Sequence, residues 1–156
     1  MLWRRRVEPW IRPLYQSVSR MRRGMTLGVR GVVTNAAGEV LLIEHTYVRG
    51  WYLPGGGIER GETAEDALAR ELMEEAGVRL TGRPTLVSFH SNHVKFSGDH
   101  VLIYRVDAWE AGQPTQTGEI HALAWFAADD LPEGITPATR RRIEEALGGA
   151  EPHPHW

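Results

Sequence analysis

The chain has 156 residues, 42% of them hydrophobic and 24% charged, which suits one globular domain and leaves no room for two full cores. Its 18 Lys and Arg residues against 20 Asp and Glu residues give a net charge of -2, which excludes a polycation that coats nucleic acid and an acidic disordered tail. Because there is no Cys, disulfides, thiolate metal sites, thiol nucleophiles and iron–sulfur clusters are excluded. Any metal ion must therefore be bound by oxygen or imidazole.

The sequence contains neither a membrane span nor a recognisable secretory signal. No stretch approaches the ~18 consecutive apolar residues that a span requires. The first ten residues, MLWRRRVEPW, lack the apolar run and the small-residue cleavage site of a signal peptide. We therefore expect a cytoplasmic protein without a transmembrane segment.

Residues 1–23 form a basic segment that differs from the rest of the chain. They contain seven Arg and a single acidic residue, Glu8. Leu14, Val18 and Met21 recur at the spacing of one helix face, which predicts a short amphipathic arm. Two interpretations stay open. The arm packs on the domain or on a second copy in a homodimer, or its arginines bind anionic lipid or RNA phosphate.

After the arm, the sequence predicts a β-hairpin. A run rich in β-branched residues extends from 25 to 33, and a second apolar run, Val40-Leu-Leu-Ile43, follows. The segment Asn35-Ala-Ala-Gly38 between them has the composition of a turn. Further strands are predicted at 84–90, 100–109 and 122–126.

Two helices are predicted with their caps. The first extends from 63 to 76, with Thr63 as the N-cap, Asp66 in the capping-box position and Gly77 as the C-cap. The second is predicted at about 136–147. The final residues, HPHPHW, are expected not to fold because they are few and broken by Pro. Strands and helices in this order favour a layered α/β or α+β domain. The expected units are an arm at 1–23, a domain at 24–147 and a tail at 148–156.

Three carboxylates crowd one face of the first predicted helix. At about 100° per residue, Glu71, Glu74 and Glu75 share an arc of about 100°. Like charges at these spacings each cost a few tenths of a kcal/mol, so stability alone would not select the arrangement. A divalent cation would, because Mg²⁺ or Mn²⁺ prefers carboxylate and carbonyl oxygens and is completed by substrate phosphates. A solvated acidic helix face is the alternative interpretation.

The residues around this helix favour a site over a solvated acidic face. Gly55, Gly56 and Gly57 precede the helix, and without side chains they let the backbone approach an ion or a phosphate closely. Their carbonyls are available as ligands. Arg70 adjoins Glu71 and can hold a carboxylate through two hydrogen bonds.

The same residues form a known motif. Gly56, five residues, Glu62, seven residues and then Arg70-Glu71-Leu72-x-Glu74-Glu75-x-Gly77-Val78 match every position of the Nudix box. The chain therefore resembles the Nudix hydrolases. The similarity extends to motifs on both sides of the box and covers nearly all of residues 25–147.

This resemblance implies an α/β fold, the Nudix α/β/α sandwich, with a mixed β-sheet between helices and the box as a loop–helix–loop metal platform. It also implies hydrolysis of a pyrophosphate bond in a nucleoside diphosphate derivative, with Mg²⁺ or Mn²⁺ as cofactor. Arg70 would orient the glutamates, and Glu62 would brace the loop. The implied metal ligands are Glu71, Glu74, Glu75 and the carbonyl of Gly55.

The general base stays open, because members of the resembled family take it from the box helix or from a later loop. Glu71 is the first choice within the helix. Glu119, after the loop at 112–118, is the candidate outside the helix, and a solvated loop glutamate is the alternative interpretation of this residue. The expected catalytic residues are thus Glu71, Arg70 and Glu119.

The substrate is also left open. Residues 93–96, His-Val-Lys-Phe, carry none of the markers that distinguish Nudix subfamilies acting on ADP-ribose, dinucleoside polyphosphates or NADH. Four ring residues precede the glycine loop: His45, Tyr47, Trp51 and Tyr52. They either stack on a base or sugar of the substrate or pack within the domain. Four further residues have side chains of the kind that bind zinc: His90, His93, Asp99 and His100. We interpret them as structural residues and not as a metal site.

Two alternatives accompany the nucleotide hydrolase. An RNA 5'-end pyrophosphohydrolase would use the basic arm to guide a polyanion toward the acidic site. A non-catalytic Nudix domain would bind a nucleotide and regulate a partner. Such domains usually lose box glutamates, and none is missing here, which favours the enzyme.

Overall fold

The computed structural model describes residues 24–116 and 118–156, so the predicted basic arm at 1–23 lies outside the described residues. None of the helices in the described part of the chain has the length and apolar character to span a membrane. The elements follow in the order β1 (Thr26–Val33), β2 (Val40–His45), α1 (Ala64–Ala76), β3 (Val78–Leu80), β4 (Thr85–Ser91), β5 (Asp99–Val106), β6 (Trp109–Ala111), β7 (Ile120–Phe126) and α2 (Pro137–Leu147).

A mixed sheet forms the centre of the domain. Strand β1 is parallel to β5, and β4 is antiparallel to β5 on its other side, which gives the order β1-β5-β4. The remaining strands form two antiparallel pairs, β2 with β7 and β3 with β6. The predicted strand at 100–109 is therefore two strands, β5 and β6, which belong to different sheets.

The core lies on both faces of the mixed sheet. One buried cluster joins β1 and β5 to α1, and the other joins β1, β2 and β5 to α2. Val32 and Val33 of β1 enter different clusters, as the alternation of side chains along a strand requires. The sheet is thus enclosed between the two helices, and the expected α/β sandwich is confirmed.

Both helices begin and end where the sequence predicts. The hydroxyl of Thr63 accepts a hydrogen bond from the N–H of Asp66 at 3.1 Å, and Gly77 ends α1 at a φ of 63°. Thr136 accepts from the N–H of Thr139 at 3.1 Å at the start of α2. The cap at Thr63 fixes the phase of α1, and with it the face on which the glutamates lie.

The predicted hairpin of β1 and β2 is wrong. Within the described residues the two strands share one isolated bridge, between Thr34 and Val40, while Asn35 closes the turn as expected. Both strands are buried on both faces toward the turn, which is typical of strands inside a layered fold. They therefore pair with distant partners, β5 and β7, instead of with each other.

The C-terminal tail, which the sequence predicts not to fold, has a defined place on the domain. It forms neither a helix nor a regular strand, but it lies against the end of β4. Ser91 donates its N–H to Pro154 O and accepts from the N–H of Trp156, each at 2.9 Å. The indole of Trp156 lies 5.6 Å from the guanidinium carbon of the buried Arg142. The unpaired backbone of the strand end and the buried cation give the tail partners that a local pattern does not show.

Candidate active site

The glycine loop is held against strand β1. Two backbone hydrogen bonds of 2.9 Å join them, from Val29 to Gly56 and from Gly31 to Pro54. Gly55 lies between these two hydrogen bonds and has a φ of 134°, a backbone conformation that residues other than glycine rarely adopt. A Cβ at this position would collide with the Val29 carbonyl oxygen. The loop can therefore pass this close to β1 only with glycine at position 55.

The loop contacts the acidic face of α1 at two points. The N–H of Gly55 donates to Glu75 Oε2 at 2.8 Å. The carboxylate of Glu71 lies directly against Gly56, where a Cβ would stand 2.6 Å from Oε2 and closer still to Oε1. Absence of a side chain at position 56 thus makes the space in which the Glu71 carboxylate sits.

Arg70 connects the loop to the glutamates. Its Nε and Nη2 donate to both oxygens of Glu62 at 2.9 and 3.1 Å, so its bidentate partner is Glu62. Its Nη1 donates to Glu71 Oε1 at 2.7 Å and, at 3.5 Å, to Glu74 Oε2. Its Nη2 also donates to the carbonyl of Gly57 at 3.0 Å. These carboxylates raise the pKa of Arg70, first through the hydrogen bonds to Glu62.

Glu71, Glu74 and Glu75 each keep one carboxylate oxygen without a hydrogen-bond partner among the described residues. Hydrogen bonds engage Glu71 Oε1, Glu74 Oε2 and Glu75 Oε2. Within residues 24–116 and 118–156, the second oxygen of each carboxylate accepts none, and neither does the Gly55 carbonyl. In the same residues, no three His, Asp or Glu side chains converge closely enough to hold a metal ion as they stand. The carboxylates thus lie on one face of the helix without converging on one point.

The electrostatic environment of Glu75 favours a cation. Burial raises the pKa of Glu75 to about 7, and the carboxylates of Glu71 and Glu119 act in the same direction. The Gly55 N–H and Arg30 oppose the shift. The ionised form of Glu75 is therefore destabilised in its surroundings, and a nearby cation would stabilise it.

The sequence of the domain was compared with models of protein families, and the NUDIX domain model matches residues 24–147. The chain belongs to the Nudix hydrolase family. A relative from Streptomyces ambofaciens, named MutT-like protein, is 32% identical over 128 residues, which cover 82% of this chain and 80% of the relative. The 8-oxo-dGTP diphosphatase of Escherichia coli (strain K12) is 38% identical over 90 residues, 54% of this chain and 67% of that protein.

A solved structure agrees with this assignment. The crystal structure of a MutT NUDIX hydrolase from Burkholderia pseudomallei matches with a TM-score of 0.68 and 30% identity, over 80% of this chain and 99% of that chain. The predicted Nudix box, the Nudix fold and the hydrolase class are thus confirmed.

Glu119, the candidate base outside the Nudix box, lies near the box helix. Its carbonyl accepts a hydrogen bond from the N–H of Thr46 at 2.9 Å, which holds the loop beside the end of β2. Its carboxylate is within electrostatic range of Glu75, His45 and Tyr47. Glu119 is thus a neighbour of the glutamates, and its catalytic role stays a prediction.

Two further residues of the Nudix site were not singled out from the sequence. Gln116 donates to Glu74 Oε2 at 2.9 Å and to the Glu74 carbonyl at 3.0 Å. Arg30, on β1, lies within electrostatic range of Glu75 and Glu71. A signal for Arg30 was present in the sequence, because it is a charged residue inside an otherwise apolar strand.

The ring residues before the glycine loop divide into two groups. Trp51 packs edge-to-face on Phe126 with ring centroids 5.0 Å apart and belongs to the core. His45 and Tyr47 stack with centroids 5.0 Å apart, beside a cavity of about 380 Å³. Tyr52 tilts against His45 at 5.8 Å. In this group Nδ1 of His45 is buried and has no hydrogen-bond partner among the described residues.

The residues interpreted as structural all have protein contacts. His90 is fully buried, with Nε2 2.7 Å from Ser88 Oγ. The ring of His100 stacks on Phe89 at 5.2 Å. Asp99 accepts hydrogen bonds from the side chains of Thr26 and Asn92. His93 lies 3.1 Å from the hydroxyl of Ser91. These contacts agree with the structural interpretation.

Proposed function

We propose that this Nudix domain hydrolyses a pyrophosphate bond in a nucleoside diphosphate derivative and uses Mg²⁺ or Mn²⁺. The observation that carries the proposal is the unpaired oxygen on each of three neighbouring glutamates. Carboxylate oxygens are the donors that these hard cations prefer. A structural acidic face would have no need for glycines that make room for its carboxylates.

The residues fit the proposed metal ions in donor chemistry and in charge. Glu71, Glu74, Glu75 and the carbonyl of Gly55 would hold them, since each has an oxygen without a partner among the described residues. When bound, the ions would offset the negative charge of the phosphates and make water a better nucleophile. A cation would also stabilise the ionised form of Glu75, whose pKa is raised by burial and, to a smaller extent, by the charges of Glu71 and Glu119.

The chain's own residues would then position the reactants. Arg70 holds Glu71 through Oε1, which leaves Oε2 available either to the metal ion or to the proton of the attacking water. Glu62 holds Arg70 in turn, and it also accepts from the N–H of Glu59 at 2.9 Å, so the loop and the helix move together. Glu119 is the second candidate for the base, supported by its electrostatic range to Glu75.

A nucleotide is the substrate class that the relatives support. A similar protein is named an 8-oxo-dGTP diphosphatase. The stacked pair of His45 and Tyr47 beside its cavity could hold a base or a sugar. The sensor alternative is less well supported, since all box glutamates are present. The RNA alternative depends on residues 1–23, which lie outside the described part.

The test is a phosphate-release screen over nucleoside diphosphate derivatives with Mg²⁺ or Mn²⁺, including triphosphorylated RNA. Glu71→Gln is the site variant, and Glu65→Gln, on the same helix but paired with Arg83, is the control. We expect metal-dependent release that Glu71→Gln reduces at least a hundredfold and Glu65→Gln leaves unchanged. Equal rates in both variants, or no release from any compound, would refute the proposal.

The RNA alternative has its own test. Deletion of residues 1–23 should leave hydrolysis of small nucleotides intact. If the arm guides RNA, the deletion reduces activity on triphosphorylated RNA and weakens its dependence on salt. Activity on RNA with an unchanged salt dependence would remove the arm from that role.

A further inference from the structure

Arg30 lies outside the Nudix box, but the pairing of β1 with the glycine loop places its backbone next to the start of the box. Hydrogen bonds from the residues on either side of it, Val29 and Gly31, hold Gly56 and Pro54. This antiparallel register places Arg30 opposite Gly55. The Cα of Arg30 lies 3.0 Å from the place where a Gly55 Cβ would stand. The long side chain therefore starts at the loop that carries the proposed metal-binding carbonyl.

The guanidinium of Arg30 is within electrostatic range of both the box glutamates and the stacked rings. Burial lowers its pKa, while Glu75, Glu71 and Tyr47 act in the opposite direction, so all three are within its electrostatic range. Its charge in turn lowers the pKa of His45, after burial. Arg30 is thus a cation near both the box carboxylates and His45, which lines the neighbouring cavity.

Arg30 nevertheless has no carboxylate partner among the described residues. Its one hydrogen bond within residues 24–116 and 118–156 is from Nη1 to the carbonyl of Val29, at 3.3 Å. It forms no ion pair within 4.0 Å in that part of the chain, although Glu71 and Glu75 are near, and it is only partly buried. Arg70, by contrast, contacts three carboxylates. Arg30 is a half-buried cation whose remaining donors are unused.

We propose that Arg30 binds a phosphate group of the substrate, as a substrate-binding residue outside the Nudix box. The inference rests on the proposed function of the site. A guanidinium offers phosphate oxygens a fork of donors, and a site shielded from water makes each charged hydrogen bond stronger. Arg30 and the metal ions would then hold the same phosphate chain from two sides. A counter-ion for Glu75 is the competing role, and it predicts a short ion pair that is absent from the described residues.

The test compares Arg30→Gln and Arg30→Lys with a matched arginine variant on the same sheet. Arg105→Gln is the control, because Arg105 lies on β5 and forms an exposed ion pair with Asp107. Binding of imidodiphosphate, a non-hydrolysable pyrophosphate analogue, is measured by calorimetry at saturating Mg²⁺. The affinity of the free protein for Mn²⁺ and the melting temperature are measured on the same samples.

We expect Arg30→Gln to weaken imidodiphosphate binding at least tenfold. The Mn²⁺ affinity should stay unchanged or rise a few fold, because a positive charge near the carboxylates is removed. Arg30→Lys should bind the analogue three- to tenfold more weakly than the wild type, since Lys keeps the charge and loses the fork. Arg105→Gln should bind it within twofold of the wild type. On a substrate from the screen, KM should rise more than kcat falls.

Other outcomes would overturn the inference. Unchanged analogue binding in Arg30→Gln would remove Arg30 from the phosphate site. A joint loss of Mn²⁺ affinity and melting temperature would make it a structural counter-ion. If Arg30→Gln does not fold, unchanged binding in Arg30→Lys overturns the inference and weaker binding supports it. A wild type that binds the analogue through Arg30 but hydrolyses nothing would refute the proposed function alone.

Discussion

Replacement of Gly56 by Ala tests the site through the space that Glu71 occupies. The new Cβ would stand 2.6 Å or less from the carboxylate oxygens of Glu71, against at least 3.4 Å for ordinary contact. Because the Glu71 carboxylate is the end of a flexible side chain, it moves and the backbone stays. The displacement needed is roughly 1 Å, which takes Oε1 away from the 2.7 Å hydrogen bond with Arg70.

The expected cost falls on the rate and hardly on stability. A misplacement of about 1 Å in a reacting group costs about a hundredfold in rate, or about 3 kcal/mol in the barrier. The backbone at Gly56 is outside the left-handed region, so Ala also stabilises by about 0.4–1 kcal/mol through the unfolded chain. This gain offsets the weakened contact with Arg70, which is worth about 1 kcal/mol at a partly exposed site. We expect the free energy of unfolding to change by less than about 1 kcal/mol.

The neighbouring glycine supplies the control. A Cβ on Gly57 would meet no atom within 4 Å, so Gly57→Ala should leave the rate within twofold of the wild type. Both variants are assayed by steady-state kinetics on a substrate from the screen, by Mn²⁺ binding and by chemical denaturation. A Gly56→Ala enzyme with wild-type turnover would refute the role given to Glu71. Equal losses in both variants would show that the loop tolerates no side chain, whatever Glu71 does.

Three more predictions concern single side chains. Arg70→Lys loses the fork to Glu62 and should lower turnover about ten- to a hundredfold. Arg83→Lys is the control, because Arg83 lies in the loop after β3 and forms an exposed ion pair with Glu65 of the same helix, and it should leave turnover unchanged; equal turnover in the two variants would end the orienting role. Glu75→Gln keeps the size of the side chain and removes a buried charge, so turnover should fall at least a hundredfold while stability in denaturant rises by about 1 kcal/mol; an active variant in limiting Mg²⁺ would contradict this. Burial, with Arg142, lowers the pKa of His90, so the unfolded chain binds its proton first. Stability should therefore fall as the pH drops below about 6.5, by up to about 1.4 kcal/mol per unit, and a His90→Gln variant should show a smaller slope in denaturation curves at pH 5 to 7.5.

Local signals in the sequence predicted the box helix almost to the residue. The cap at Thr63 and the left-handed Gly77 depend on bonds that span three or four residues, so a linear pattern contains them. The shared face of the glutamates follows from the same helix. The glycines were also predicted to allow close approach, and the contacts of Gly55 and Gly56 agree with that expectation.

Contacts between distant segments could not be predicted in the same way. The turn at Asn35 was correct, but the partner of β1 is β5, and the residues paired with it lie more than 70 positions along the chain. Arg30 acquires its place only when the glycine loop pairs with β1. The bidentate partner of Arg70 was open for a similar reason, because Glu62 precedes the helix and its direction depends on the path of the loop.

The folded domain holds like charges together by engaging one oxygen of each of the three carboxylates and leaving the other without a partner among the described residues. Arg70 donates hydrogen bonds to Glu71 and Glu74, and the Gly55 N–H donates to Glu75. These donors reduce the repulsion that three carboxylates on one helix face would otherwise impose on folding. The loop and Glu62 hold these donors in place in the folded domain. The proposed cation would meet the remaining oxygens on a fold that is already formed, and the carboxylates would have to move closer together around it, because no three of them converge among the described residues.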